Sequence, residues 1–226
     1  MNDIPDATTV AFFRERLRNA NVIDELFEMF ENYLRDQGLE ARGRQIIDAT
    51  LVPVPKQRNR REDNKEIKAN RVPDGWNESP KRLQKKDLDA RWILKNDLNR
   101  YGYKNSICID AEHGFIRRFV VTPANIHDSQ MLPMLLDPEN REDYVWADSA
   151  YSGERFKDLL SLGGFENRIH EKGSRNHPLS AAATERNSIR SQIRARVEHI
   201  FGYFATSMGG NLQENLGLKG IELGGA

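Results

Sequence analysis

Three acidic residues sit where a carboxylate can do chemistry. Asp48 interrupts the apolar run Gln45–Val52, Asp148 closes the short apolar run Tyr144–Ala147, and Glu198 falls in Arg194–Phe201, reading RARVEHIF. If strands carry the first two to one end of a sheet and a helix beside them presents the third, the carboxylates converge. Three such groups without cationic partners repel one another, unless divalent metal ions neutralise them. Two Mg2+ ions held that way activate an attacking oxygen and stabilise a leaving one on phosphorus, which is phosphodiester chemistry. Spacing alone is a weak signal, because a chain with 34 acids supplies such triples by chance. A cap, a solvated acid or a salt bridge is the plainer reading of each. Arg194, one helical turn before Glu198, offers it a simple i,i+4 ion pair. Asp110 and Glu112 are rival carboxylates near a strand end.

The elements that must position these residues can be read from periodicity. Residues 6–20 and 23–37 carry apolar side chains at helical spacing and stop at Gly38, an αα-hairpin with an acidic outside. Gln45–Val52, rich in β-branched residues, is a buried strand holding one carboxylate. From Pro55 to about Leu88 the chain is polar and has little period, which predicts a long mobile loop. Tyr103–Asp110 and Phe115–Val121 form a hairpin turning at His113-Gly114. A helix capped by Asp128 runs to Leu136, Tyr144–Ala147 is another strand, and Glu154–Leu162 is helical up to Gly163-Gly164. Phe165–His170 is a last strand. A long helix from about Ala181 to Phe204 puts Ile189, Ile193, Val197, Ile200, Phe201 and Phe204 on one side. The alternation predicts an α/β fold, a mixed sheet with helices on its faces. The expected organisation is a helical hairpin at 1–40, a core at 41–206 that includes the basic loop 55–90, and a disordered tail at 207–226. Trp76, Trp92 and Trp146 read as packing residues.

With 38% hydrophobic and 30% charged residues the chain falls in the globular range. No stretch approaches the ~18 apolar residues of a membrane span, and no secretion signal opens the chain. Cys108 is the only cysteine, which rules out an internal disulfide, argues against a zinc cluster and fits a reducing cytoplasm. The formal net charge is zero, but it is unevenly spread. Residues 1–40 hold nine acids against four arginines, residues 56–104 fifteen Lys/Arg against eight acids, and residues 172–200 six against two. Local charge decides attraction to phosphate, so the two basic segments are candidate DNA contacts. They supply Lys85 and Lys86 in the first, and Lys172, Arg190 and Arg196 in the second. A solvated charged surface is the plainer account of either.

The words around the three acids sharpen the reading. DATLV, GYKNSICID, NIHDSQMLP, VWADSAYSG, IHEKGSRNHPL and QIRARVEHIFG, in this order, resemble bacterial insertion-sequence transposases with an Asp-Asp-Glu core. The branch they resemble is the one numbered five within the group numbered four, and the likeness runs from about Pro5 to Gly217. It implies a ribonuclease-H-like fold, a five-stranded mixed sheet flanked by helices. Asp48 and Asp148 match the family's two metal-binding aspartates and Glu198 its glutamate, together holding Mg2+ (Mn2+ as substitute), two ions in all. Arg194 matches the arginine of a Tyr-x-x-Arg-x-x-x-Glu signature, whose tyrosine is replaced here by Ser191. His127 and Asp128 match a His-Asp pair, Tyr151 the aromatic after the second aspartate, and Lys172 a basic residue suited to phosphate. A helix cap remains the plainer role for His127, and an ordinary surface lysine for Lys172.

The resemblance implies DNA as partner, at terminal inverted repeats and in the target, and by analogy a homodimer. No covalent protein–DNA link is implied; water and then a 3′-hydroxyl attack in line. Relatives carry a further N-terminal region, and after Gly210 a Gly-Leu motif and a basic helix that Lys219–Ala226 does not continue, so the sequence reads as a truncated copy. The alternatives are a non-catalytic DNA-binding or inhibitory remnant, and an unstable pseudogene product.

Overall fold

The computed structural model describes residues 5–39, 41–83, 85–140 and 142–206, so the expected tail 207–226 lies outside the described residues. Those described divide into two compact units, residues 5–39 with 57–89, and residues 41–56 with 90–206. Among them no helix is long and apolar enough to cross a membrane.

The first unit opens with α1 (Ala7–Ala20) and α2 (Ile23–Asp36), where the hairpin is expected. Asp6 caps α1 by accepting the Thr9 N–H at 2.7 Å, and Asn21 closes it in the left-handed region. Phe12, Phe13, Met29, Phe30 and Tyr33 remain exposed on these helices. The expected loop 55–90 is more structured than its composition predicts. It holds α3 (Arg61–Lys68) and α4 (Pro80–Leu83), with Ile67 and Trp76 buried. Eight residues with one apolar position show no period, so local groups hold α3: Asp63 accepts the Arg60 N–H, and Arg71 pairs with Glu66 at 2.7 Å.

The second unit is built on a mixed sheet of six strands, one more than expected. They are β1 (Gln45–Pro53), β2 (Arg91–Lys95), β3 (Leu98–Asp110), β4 (Ile116–Pro123), β5 (Tyr144–Ala147) and β6 (Glu166–Asn167). β1 runs antiparallel to β3 and parallel to β5, and β5 runs parallel to β6. β4 and β2 pair with successive stretches of β3. The added strand is β2, joined to β3 by Asn96-Asp97, both at positive φ, a turn whose twist suits a hairpin. The helix expected at 128–136 is a 3-10 turn (Asp128–Met131) followed by the single α-turn α5 (Leu132–Leu135), with Pro133 inside it. α6 (Glu154–Leu162) and α7 (Ala181–Thr206) stand where periodicity puts them.

Two apolar layers hold this unit. Ile47, Cys108, Val145 and Ala147 meet Leu132, Leu135, Tyr151 and Leu160 on one face. Ile46, Ile107, Ile109 and Trp146 meet Val197 of α7 on the other, with Ile193, Ile200 and Phe201 packed against them. α7 crosses the strands: Arg190 reaches Ile169 after β6, Arg194 reaches β1, Arg196 reaches Ala111 after β3, and Ile200 lies near Gly114.

Gly102 makes the long β3 possible beside β1. Its φ is +154°, and an added Cβ would stand 2.2 Å from the Val52 carbonyl oxygen. Gly102→Ala is therefore expected to cost roughly 2–4 kcal/mol, combining backbone strain with overpacking. Urea unfolding followed by circular dichroism checks it, and a loss under half a kcal/mol would show that the strand can shift.

Candidate active site

The parallel register of β1 and β5 brings the two aspartates together. Ile47 lies opposite Ala147, so the next residues along each strand are Asp48 and Asp148. Side chains alternate faces along a strand. Ile46 and Trp146 face α7, so Asp48 and Asp148 point to the α7 side as well, just past the last paired residues of β1 and β5, with Asp48 inside β1 and Asp148 directly after β5. Asp48 Oδ1 accepts the Ala49 N–H at 2.8 Å, and Oδ2 accepts Arg194 Nη2 at 2.6 Å. Asp148 caps the 3-10 turn Ser149–Tyr151 by accepting the Ala150 N–H at 2.8 Å.

That turn folds Tyr151 back beneath the pair. Its side chain is buried, and burial pushes its hydroxyl well above the ordinary tyrosine range, with Asp128, Asp48 and Asp148 adding to the effect. Burial also raises the carboxyl of Asp48, against the pull of Arg194 and with a contribution from Asp148. The Tyr151 hydroxyl and Arg194 Nε are both buried, and neither has a hydrogen-bond partner among the described residues.

Glu198 is placed differently. It is exposed on α7, one turn beyond Arg194, while Val197 beside it enters the core. Arg194 pairs with Asp48 across the fold rather than forming the local pair with Glu198. Among the described residues, no three of His, Cys, Asp or Glu stand close enough to share a metal ion. The two aspartates fit a divalent cation in kind, as hard oxygen donors brought together by the register of β1 and β5. The three-carboxylate set is not assembled.

His127 and Asp128 have partners of their own. His127 Nδ1 accepts the Ser129 N–H at 3.3 Å, so it acts as the cap of its 3-10 turn. Asp128 pairs with Lys104 Nζ at 2.7 Å, and that ammonium also donates to the Ile126 carbonyl. Lys104 went unnoticed in the sequence, although a lysine inside the strand GYKNSICID is itself a signal. His170 was also missed. Its backbone N–H donates to the Ala147 carbonyl at 3.1 Å, and burial followed by Arg194 lowers its pKa, which favours a neutral ring near Asp148. The rival Asp110 is consumed by its turn, accepting N–H groups from Gly43, Glu112 and His113.

The basic candidates fall in both units. Lys172 is exposed and lines a groove of about 770 Å3 with Lys157, His170, His177 and Arg190. Arg190 itself is tied to the Ile169 carbonyl and Glu171, and Arg196 to the Ala111 and Glu112 carbonyls. In the other unit Lys85 is exposed, whereas Lys86 donates to Arg58 O and Asn59 Oδ1 and lies over the Trp76 ring. Trp76 and Trp146 are buried as expected, but Trp92 on the hairpin strand β2 is 48% exposed.

Residues 40–213 match the protein family described as "Transposase DDE domain". The chain belongs to this family. It is 32% identical over 192 residues to "Transposase for insertion sequence element IS1106" of Neisseria meningitidis serogroup B. The match covers 84% of this chain and 64% of that relative, so the transposase domain here spans under two thirds of the relative's length. No solved structure matches the chain. A mixed sheet with helices on its faces is consistent with the ribonuclease-H-like fold of such domains, and divalent metal ions are general to the family.

Proposed function

We propose that the chain carries the catalytic core of an insertion-sequence transposase that cleaves and rejoins DNA at element ends, on the branch numbered five of the group numbered four. The observation that carries this reading is the juxtaposition of Asp48 and Asp148 where the parallel pairing of β1 and β5 ends, beside a helix that bears Arg194 and Glu198. Asp48 and Asp148 would hold a divalent cation, Mg2+ with Mn2+ as substitute, and Glu198 would complete a two-ion set. Such cations supply Lewis-acid activation and neutralise developing charge. The chain's own residues position and hold charge. The Ala49 and Ala150 N–H groups fix the two carboxylates, and the Lys104–Asp128 pair packs beside Tyr151. In the proposed reaction a water oxygen bonds to phosphorus while the P–O3′ bond breaks and the leaving oxygen takes up a proton. The freed 3′-hydroxyl then bonds to a target-strand phosphorus, losing its proton, as the P–O3′ bond there breaks and its leaving oxygen is protonated. Lys172, Lys85 and Lys86 are proposed phosphate contacts, with Arg190 and Arg196 reaching DNA only by giving up their carbonyl partners. His127 serves by holding the turn that carries Asp128. A second copy of the chain is the further proposed partner, since association would cover the exposed Phe12, Phe13, Met29, Phe30 and Tyr33.

A specific observation favours a second reading: Glu198 stands apart from the aspartates, as in a DNA-binding remnant without catalysis. Both readings predict DNA binding that weakens steeply with salt. Only the first predicts strand cleavage that requires Mg2+ and stops with EDTA, in a supercoiled plasmid carrying the element ends. In that assay Glu198→Ala is expected to lower the cleavage rate by on the order of 10²-fold or more. Cleavage unaffected by that change would remove Glu198 from the site, and no Mg2+-dependent cleavage by the wild type would leave the second reading.

A further inference from the structure

The ion pair between Arg194 and Asp48 conflicts with the task assigned to Asp48. Arg194 Nη2 lies 2.6 Å from Asp48 Oδ2, and the two side chains are only 12% and 15% exposed. The other carboxylate oxygen is engaged by the Ala49 N–H. A dication and a guanidinium on the same oxygen repel strongly in so sheltered a place, so cation entry and this ion pair exclude each other. Two buried donors also lack acceptors, Arg194 Nε and the Tyr151 hydroxyl, and the hydroxyl feels the charges of Asp48, Asp148 and Arg194. A buried donor left unpaired costs about 1–3 kcal/mol, and two beside one carboxylate pair point to a ligand that brings oxygen atoms.

We infer that Arg194 is a displaceable counter-ion, which neutralises Asp48 until a divalent cation takes that carboxylate and then joins the Tyr151 hydroxyl on a non-bridging oxygen of a DNA phosphodiester. This rests on the metal-dependent reading above. Charge balance supports the order of events. Asp48 and Asp148 with Arg194 alone carry one net negative charge, which repels phosphate and attracts a cation. With one dication added the same groups carry one net positive charge, which matches a phosphodiester. The exchange makes the site receptive to DNA only after the cation is in place.

Mn2+ binding by the full chain without DNA, followed through the paramagnetic resonance signal of the free ion, tests the exchange. Arg194→Gln is expected to bind Mn2+ about tenfold more tightly than wild type, because the competing charge is gone. The same variant should bind a short DNA duplex in the presence of Mn2+ about tenfold less tightly. Tyr151→Phe keeps the packing and removes only the unpaired hydroxyl. It should melt no lower than wild type, bind Mn2+ within about twofold of it, and bind the duplex about fivefold less tightly. If Arg194→Gln does not fold, Arg194→Lys keeps the competing charge without the guanidinium fork. It should match wild type for Mn2+ but lose duplex affinity. Mn2+ binding that is unchanged or weakened in Arg194→Gln, or duplex binding unchanged in Tyr151→Phe or Arg194→Lys, overturns the inference while leaving the metal-dependent reading standing. A wild type that takes up no Mn2+ overturns both.

Discussion

Asp48→Asn should lower the rate of strand cleavage by on the order of 10³-fold or more while leaving the protein folded. The amide keeps the shape of the side chain but loses the charge that attracts a cation. Burial holds the carboxyl of Asp48 above its ordinary value of 3.8, even against Arg194. A carboxyl raised in this way contributes its stability fully below the unfolded pKa. That contribution is lost as pH rises through the folded value. At neutral pH the ionised Asp48 is therefore a net cost to the metal-free fold. A neutral Asn should melt at or above the wild-type temperature at pH 7, and the difference should vanish towards pH 3. Thermal melts run beside the cleavage assay check both halves. A variant that loses activity and melts many degrees lower would mark Asp48 as a structural residue.

Lys104→Met should strongly destabilise the sheet unit. Lys104 Nζ is bound at 2.7 Å to both Asp128 and the Ile126 carbonyl, and the pair is 11% and 24% exposed. Removing the ammonium strands a sheltered carboxylate beside Tyr151 and leaves a carbonyl without its donor. Breaking a buried pair from one side costs about 3–5 kcal/mol, and the partial exposure of Asp128 reduces this to roughly 2–4 kcal/mol. The double change Lys104→Met with Asp128→Asn should recover more than half of the loss, since it removes the stranded charge. Denaturant unfolding of the four proteins measures the coupling. Additive effects would mean that the two groups do not act as a pair.

The sequence made the carriers of the site legible more readily than its geometry. β1 and β5 showed as short apolar runs ending in, or broken by, an aspartate, and α7 showed by its row of Ile, Val and Phe. That Asp48 and Asp148 are neighbours follows from parallel register, a long-range property that no local pattern encodes. Local spacing likewise offered Glu198 to Arg194, but the fold gives Arg194 to Asp48, because α7 crosses β1 at that turn. β2 was missed although its signal was present: Trp92 and Ile93 precede Asn96-Asp97, a pair that tolerates positive φ in a tight hairpin. α3 was missed for the opposite reason. Its eight residues carry one buried apolar side chain, Ile67, so charge pairing and a buried neighbour decide its structure. The helix expected over Asp128–Leu136 is split into a 3-10 turn and one α-turn, with Pro133, which has no N–H for the ladder, in the first turn after the junction.

The central claim is that the adjacent Asp48 and Asp148 carry metal-dependent phosphodiester chemistry. The most direct measurement is cleavage of supercoiled DNA bearing the element ends by purified wild type and Asp148→Ala, side by side, in Mg2+ and in EDTA. The account predicts nicked product from the wild type in Mg2+ alone, and none from the variant in either buffer although it still binds DNA. Equal cleavage by the two proteins in Mg2+ would contradict it.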